Sequence, residues 1–89
     1  MVVYEDNVRR AVLKGLLPKE IFIRFHNVFI SLDVTHDLSL FDIKKLKSAE
    51  KRTYYRARKG RYRAIFYIDE NNYFVISIAK REEVYDKWV

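Results

Sequence analysis

The stretch Thr53 to Arg63 (Thr-Tyr-Tyr-Arg-Ala-Arg-Lys-Gly-Arg-Tyr-Arg) constrains the fold of this chain more than any other. Folded as a hairpin with Lys59-Gly60 at the turn, it sets Arg58 opposite Arg61 and Arg56 opposite Arg63. Side chains alternate along a strand, and directly opposed residues share a face. Arg56, Arg58, Arg61 and Arg63 therefore project from one side of the hairpin. Tyr55, Ala57, Tyr62, Ala64 and Phe66 project from the other. A slip of one residue would mix the two sets, so the pattern itself selects the facing. The apolar face needs a core to cover it. Four guanidinium groups on the opposite face repel one another unless an anion lies among them.

Charge along the chain is concentrated in the same region. Residues 44–63 hold ten basic residues (Lys44, Lys45, Lys47, Lys51, Arg52, Arg56, Arg58, Lys59, Arg61 and Arg63) against Glu50 alone, or +9. The whole chain carries +6, so the remaining sixty-nine residues carry −3. A basic block of this kind is the footprint of a polyanion site, a nucleic acid or an acidic protein. An arginine-rich hairpin can equally be a solvated, ion-paired surface.

Eighty-nine residues, 49% of them hydrophobic, give one domain over 1–89 with a modest core. Cysteine is absent, which excludes disulfides and thiolate metal sites and fits a cytoplasmic protein. His26 and His36 have no partners that suggest a metal site; His26 reads as a boundary side chain beside Phe22 and Phe29. The N-terminus lacks a basic region followed by an apolar run. The apolar-rich stretch Ile21–Val34 is broken by Arg24, His26, Asn27 and Asp33, so neither signal peptide nor membrane span is expected.

Local patterns then order the elements. Val2-Val3-Tyr4 is a short strand signal. Asp6 or Asn7 can cap a helix whose apolar positions are Val8, Ala11, Val12, Gly15 and Leu16. Gly15 and Pro18 end it, with Pro18 placed as the first residue of a second helix. In that helix Ile21, Phe25, Val28, Phe29 and Leu32 form a core stripe with Phe22 beside it. Ile23 and Ile30 fall outside the stripe, as scattered surface residues or part of a partner surface. Residues 33–39 read as a loop, followed by strands over 53–58, 62–68 and 73–79. For the last turn, a three-residue loop Glu70-Asn71-Asn72 with Asn72 left-handed sends Phe74, Ile76 and Ile78 to the core. Val75, Ser77, Ala79 and Arg81 then join the arginine face. Tyr54 and Tyr67 read either as cross-strand packing or as stacking surfaces for RNA. Residues 82–88 suggest a short helix with Val84 and Trp88 packed together.

This order of elements resembles the RelE/ParE superfamily of small toxins from type II toxin–antitoxin pairs. The likeness lies in Asp42-Ile43-Lys44-Lys45-Leu46-Lys47, in the run from Tyr55 to Phe66, in Lys80-Arg81-Glu82-Glu83-Val84-Tyr85, and in the helix pair with its Leu17-Pro18 corner. It implies an α+β, RelE-like fold: an N-terminal strand, an antiparallel helix pair, a three-stranded antiparallel meander completing a four-stranded sheet, and a short C-terminal helix. The RelE branch cuts messenger RNA on the ribosome, by attack of a ribose 2′-hydroxyl on the adjacent phosphate without a metal or other cofactor. The resemblance implies catalytic roles for Arg56, Arg58, Arg63, Arg81 and Tyr85, with Arg63 and Arg81 as phosphate clamps. It implies RNA contacts from Lys44, Lys45, Lys47, Lys51, Arg52, Lys59, Arg61 and Lys80. The implied partners are a cognate RelB-like antitoxin, the ribosome and its mRNA.

Two departures stand out. RelE-like enzymes best fitted to base catalysis carry lysine at the position of Arg56, often also at Arg58. Arginine does not give up its proton, so Arg56 is expected to stabilise charge and not to act as the base. Ser48 stands where glycine is common, and Glu50-Lys51-Arg52 lengthens the loop. Two other functions remain open: a ParE-like inhibitor of gyrase, although such relatives generally lack this basic set, and a catalytically inactive domain that binds RNA or antitoxin.

Overall fold

The computed structural model describes residues 1–46 and 52–81. Its order is β1 (Val2–Tyr4), α1 (Asp6–Leu13), α2 (Lys19–Thr35), a 3-10 turn (Leu38–Leu40), β2 (Ile43–Lys45), β3 (Tyr55–Lys59), β4 (Tyr62–Asp69) and β5 (Asn72–Lys80). The strands form one sheet in the order β1-β5-β4-β3-β2, with β1 parallel to β5 and the other pairs antiparallel. The α+β class stands as expected. Among the described residues the sheet has five strands where four were expected, because Ile43–Lys45 adds an edge beside β3.

Both helices cover one face of the sheet. Phe25, Val28, Phe29 and Leu32 of α2 are buried with Val8 and Leu17 against Ala57, Ala64, Phe66, Tyr73, Val75 and Ile78. Phe29 meets Phe66 edge-on, with ring centroids 5.1 Å apart, at the centre of this layer. The helical period thus selects the expected core stripe on α2. Ile23 and Ile30 are exposed on its outer side, with Val34.

α1 ends at a Schellman turn. Gly15, at φ +74°, lets its own N–H reach Val12 O and that of Leu16 reach Ala11 O. This turn corrects the reading of Leu16, expected on the apolar stripe: it is exposed, and Leu17 is buried instead. Glu5 takes the N-cap position in place of Asp6 or Asn7, and the Asn7 side chain instead donates to Ile76 O, pinning α1 to β5. Pro18 stands at the N-cap of α2, one residue before its expected place. α2 also runs on to Thr35, into the stretch read as loop, and stops where His36 turns left-handed at φ 53°.

The hairpin faces are as read, but its register is not. The turn is Gly60-Arg61, and Arg58 pairs with Arg63, Ala57 with Ala64, Arg56 with Ile65 and Tyr55 with Phe66. Gly60 lies at φ +60° and Arg61 has no positive φ, the signature of a II′ turn, whose twist suits a two-residue hairpin loop. The register differs from the expected one by two residues, and a shift of two preserves every facing.

The second turn corrects the reading more deeply. Glu70 and Asn71 both have positive φ, at 49° and 66°, forming a two-residue I′ turn with Asp69 opposite Asn72. Tyr73 and Val75 therefore join the core, while Phe74 pairs with Tyr67 on the other face. A bulge follows. Phe66 pairs with Val75 but Ile65 with Ser77, so Ile76 is an extra residue on β5. Beyond it, Ile78 faces the core and Ala79 opposes Arg63, as an odd loop would have had them. An even turn with no bulge would have pointed Arg81 toward the helices. The even turn and the extra residue together restore the expected facing.

Candidate nucleic-acid interface

The sheet face away from the helices carries the arginines. Arg58, Gly60, Arg61, Arg63 and Arg81 line one cleft of about 280 Å³ at the β3–β4 turn. Three local features assemble it. The II′ turn holds Arg58 and Arg63 as a directly opposed pair. The bulge on β5 keeps Arg81 on the same side. The Arg81 N–H then donates to Arg61 O at 3.0 Å, tying the end of β5 to the hairpin turn.

The four side chains differ in environment. Arg63 is only 3% exposed, its Nη1 3.5 Å from Tyr62 O, while Arg58, Arg61 and Arg81 are exposed. A guanidinium so deeply placed is costly to desolvate, and it is held rigidly where it lies. Asp42 takes part in a way the sequence did not suggest. Its carbonyl accepts from Arg58 N–H at 2.9 Å and its carboxylate lies 3.9 Å from Arg58 Nε. The signal was available as the one acid at the mouth of the basic block, but β2 was not recognised as the strand that carries it to Arg58.

Other expected site residues are distributed differently. Arg56 shares the arginine face but does not line the cleft; it pairs with Ile65 and Lys44, and its Nε is buried. Lys44 therefore lies on the arginine face. Lys45 opposes Tyr55, while Lys59 and Lys80 both oppose Tyr62, so these three belong to the helix-side face. Arg52 lies beyond the cleft, its guanidinium carbon 4.0 Å from the centre of the Tyr67 ring. Lys47, Lys51 and Tyr85, with the helix read over 82–88, lie outside the described residues.

The histidines are engaged on the helix side. His26 Nδ1 shares a 2.8 Å hydrogen bond with Tyr4 OH, and His36 Nδ1 one of 3.0 Å with Tyr73 OH. Burial raises the pKa of both tyrosine hydroxyls, and the Asp33 charge raises that of Tyr73 further. Among the described residues no cluster of three metal-ligating side chains occurs. No described helix is long and apolar enough to cross a membrane.

A planar guanidinium presents paired donors that match phosphate oxygens, and several converging on one cleft favour an oxyanion over a neutral ligand. The molecule is thus a small, helix-backed α+β protein with a cleft lined by four arginines on its open sheet face. Its backbone matches a chain of the RelB–RelE antitoxin–toxin complex from Methanococcus jannaschii with TM-score 0.72 and 25% identity, over 94% of this chain and 95% of that one. It also matches a chain of the archaeal RelE–RelB complex from Pyrococcus horikoshii OT3 with TM-score 0.62 and 26% identity, over 90% and 92%. No family model matches the sequence, and no curated protein matches it. The chain thus has a RelE-like fold, similar to chains of these two antitoxin–toxin complexes.

Proposed function

We propose that this chain is a RelE-like toxin, an endoribonuclease that cleaves messenger RNA on the ribosome and is held in check by a RelB-like antitoxin. The observation that carries the reading is the convergence of Arg58, Arg61, Arg63 and Arg81 on one cleft. The reaction is a transesterification. The ribose 2′-oxygen forms a bond to the adjacent phosphorus as the bond from phosphorus to the 5′-oxygen breaks. The products are a 2′,3′-cyclic phosphate and a free 5′-hydroxyl, with the proton passing from the 2′-oxygen to the leaving oxygen. Negative charge grows on the non-bridging oxygens, and preorganised guanidinium donors stabilise that charge best in a partly dehydrated cleft. Buried Arg63 is the fixed donor, and Arg81, anchored through its backbone to Arg61, is the second.

Arginine supplies charge but no proton acceptor at neutral pH. Acceleration therefore comes from positioning and charge stabilisation, with the ribosome orienting the scissile ribose. The RelB–RelE complexes among the structural neighbours support an antitoxin as the partner. The all-arginine cleft also favours a second reading, a toxin-fold domain that binds RNA without cutting it. A reconstituted translation reaction separates the two. Wild-type chain should arrest synthesis and yield cut, ribosome-bound message, and the Arg63→Ala/Arg81→Ala variant should do neither. Intact message with wild-type chain, at concentrations that saturate RNA binding, sinks cleavage and leaves binding.

A further inference from the structure

The open sheet face carries a second set of side chains besides the arginines. Phe74 stacks on Tyr67, with centroids 4.9 Å apart and planes 13° from parallel. Tyr54 meets the Tyr67 ring edge-on at 5.9 Å, and the exposed Arg52 guanidinium lies 4.0 Å from the Tyr67 ring centre. The Tyr67 ring is thus in contact both with a second, nearly parallel ring and with a guanidinium group, and Arg52 is exposed. Tyr67 lies on the same face of β4 as Arg63, four residues further along. At about 3.3 Å per residue this is some 13 Å from the cleft. The strip between them is lined by Ile65, with Ser77 opposite it, and carries no acid on β4.

We propose that Arg52, seated on the Tyr67 ring that Phe74 supports, is a base-stacking platform for single-stranded RNA whose phosphates occupy the arginine cleft. Nucleobases stack on aromatic rings and on arginine guanidinium planes, and this contact is tolerant of sequence because every base has a π-face. Cross-strand packing accounts for Tyr54, which is buried, but does not account for an exposed cation set over the Tyr67 ring. An acidic peptide would satisfy the charges but would leave the stacked planes without use. The platform gives the face a direction, with phosphate held at the hairpin turn and a base held toward the opposite end of β4.

This rests on the nucleic-acid reading above. The test measures binding of the full chain to an oligoadenylate of about six nucleotides, within the range a compact single-strand site covers. It repeats the measurement with the same ribose–phosphate chain made abasic at single positions. Wild-type chain should bind the intact oligonucleotide about 5- to 100-fold more tightly than the chain abasic at the platform position. Arg52→Lys keeps the charge and loses the plane, and should abolish that difference while leaving affinity for the abasic chain unchanged. Phe74→Leu, which keeps an apolar side chain beneath the stack, should reduce the difference without unfolding the protein. Retention of the full difference in both variants overturns the platform, as does equal binding of intact and abasic chains by wild type. Displacement of the oligonucleotide by an acidic peptide from wild type and Arg52→Lys alike also counts against it. A base-dependent difference in a chain that never cuts message would retire cleavage and leave the platform standing.

Discussion

If the cleft holds RNA through its phosphates, binding must weaken with salt by an amount set by the number of guanidinium groups engaged. Four arginines line it. Each neutralised phosphate contributes about −0.7 to the slope of log affinity against log salt for a single strand, so four give about −2.8. Raising salt from about 50 to 200 mM should then lower affinity about 50-fold. Arg61 is exposed at the turn tip and can be removed without disturbing the core. Arg61→Ala should flatten the slope to about −2.1 and shrink the loss to about 20-fold. Arg81→Ala should do the same, although it reaches the cleft from a different strand. Lys59→Ala should leave the slope nearly unchanged, because Lys59 pairs with Tyr62 on the helix-side face. Fluorescence anisotropy of a labelled oligoribonucleotide across a salt series reads all of these. A wild-type slope shallower than about −1, or equal losses for Lys59→Ala and Arg61→Ala, would refute the placement of the phosphate site.

Other consequences concern the fold that carries the cleft. Phe66 is fully buried against Phe29, Tyr55 and Tyr73, so Phe66→Ala should cost about 3–5 kcal/mol in urea denaturation. Glu70 sits at φ 49° in a I′ turn that favours asparagine, and Glu70→Asn should raise stability by up to about 1 kcal/mol; a loss would contradict the turn assignment. Deleting Ile76 removes the bulge but keeps Ile78 and Arg81 on their present faces, so RNA binding should survive. Deleting Ala79 should turn Arg81 toward the helices and flatten the salt slope; equal behaviour of the two deletions would exclude the bulge as the aiming device. The Tyr4 hydroxyl holds its proton to higher pH in the folded chain than the ordinary 10.0 of the unfolded one. That contribution is full below pH 10 and is lost as pH rises through the raised value, so urea midpoints should fall on the alkaline side and Tyr4→Phe should lessen the fall.

The arginine face was legible because β-strand alternation has a period of two, and any even register error leaves it intact. Arg58 could thus be paired with the wrong residue and still be placed on the right side. The second turn was less legible for the same reason. Phe74 and Ile76 look like core residues at the alternate positions, and only an odd loop would have sent both inward. The chain instead places Phe74 on Tyr67 and uses Ile76 as a bulge, features that depend on cross-strand partners and leave no local mark. Strand β2 was missed because Ile43-Lys44-Lys45 is short and mostly charged, and gains its place only by pairing with β3. The burial of Arg63 follows from a position between Arg58 and Ala79 that no local propensity encodes.

If the cleft directs a ribose 2′-hydroxyl onto the neighbouring phosphate, as proposed, one substitution in the substrate tests it without altering the protein. A ribosome-bound message carrying a single 2′-deoxynucleotide on the 5′ side of the cut should resist wild-type chain. The all-ribose message should be cut there to leave a 2′,3′-cyclic phosphate and a 5′-hydroxyl. Cleavage of the deoxy-substituted message at the full rate, or a 5′-phosphate on the downstream fragment, would contradict attack by the 2′-hydroxyl.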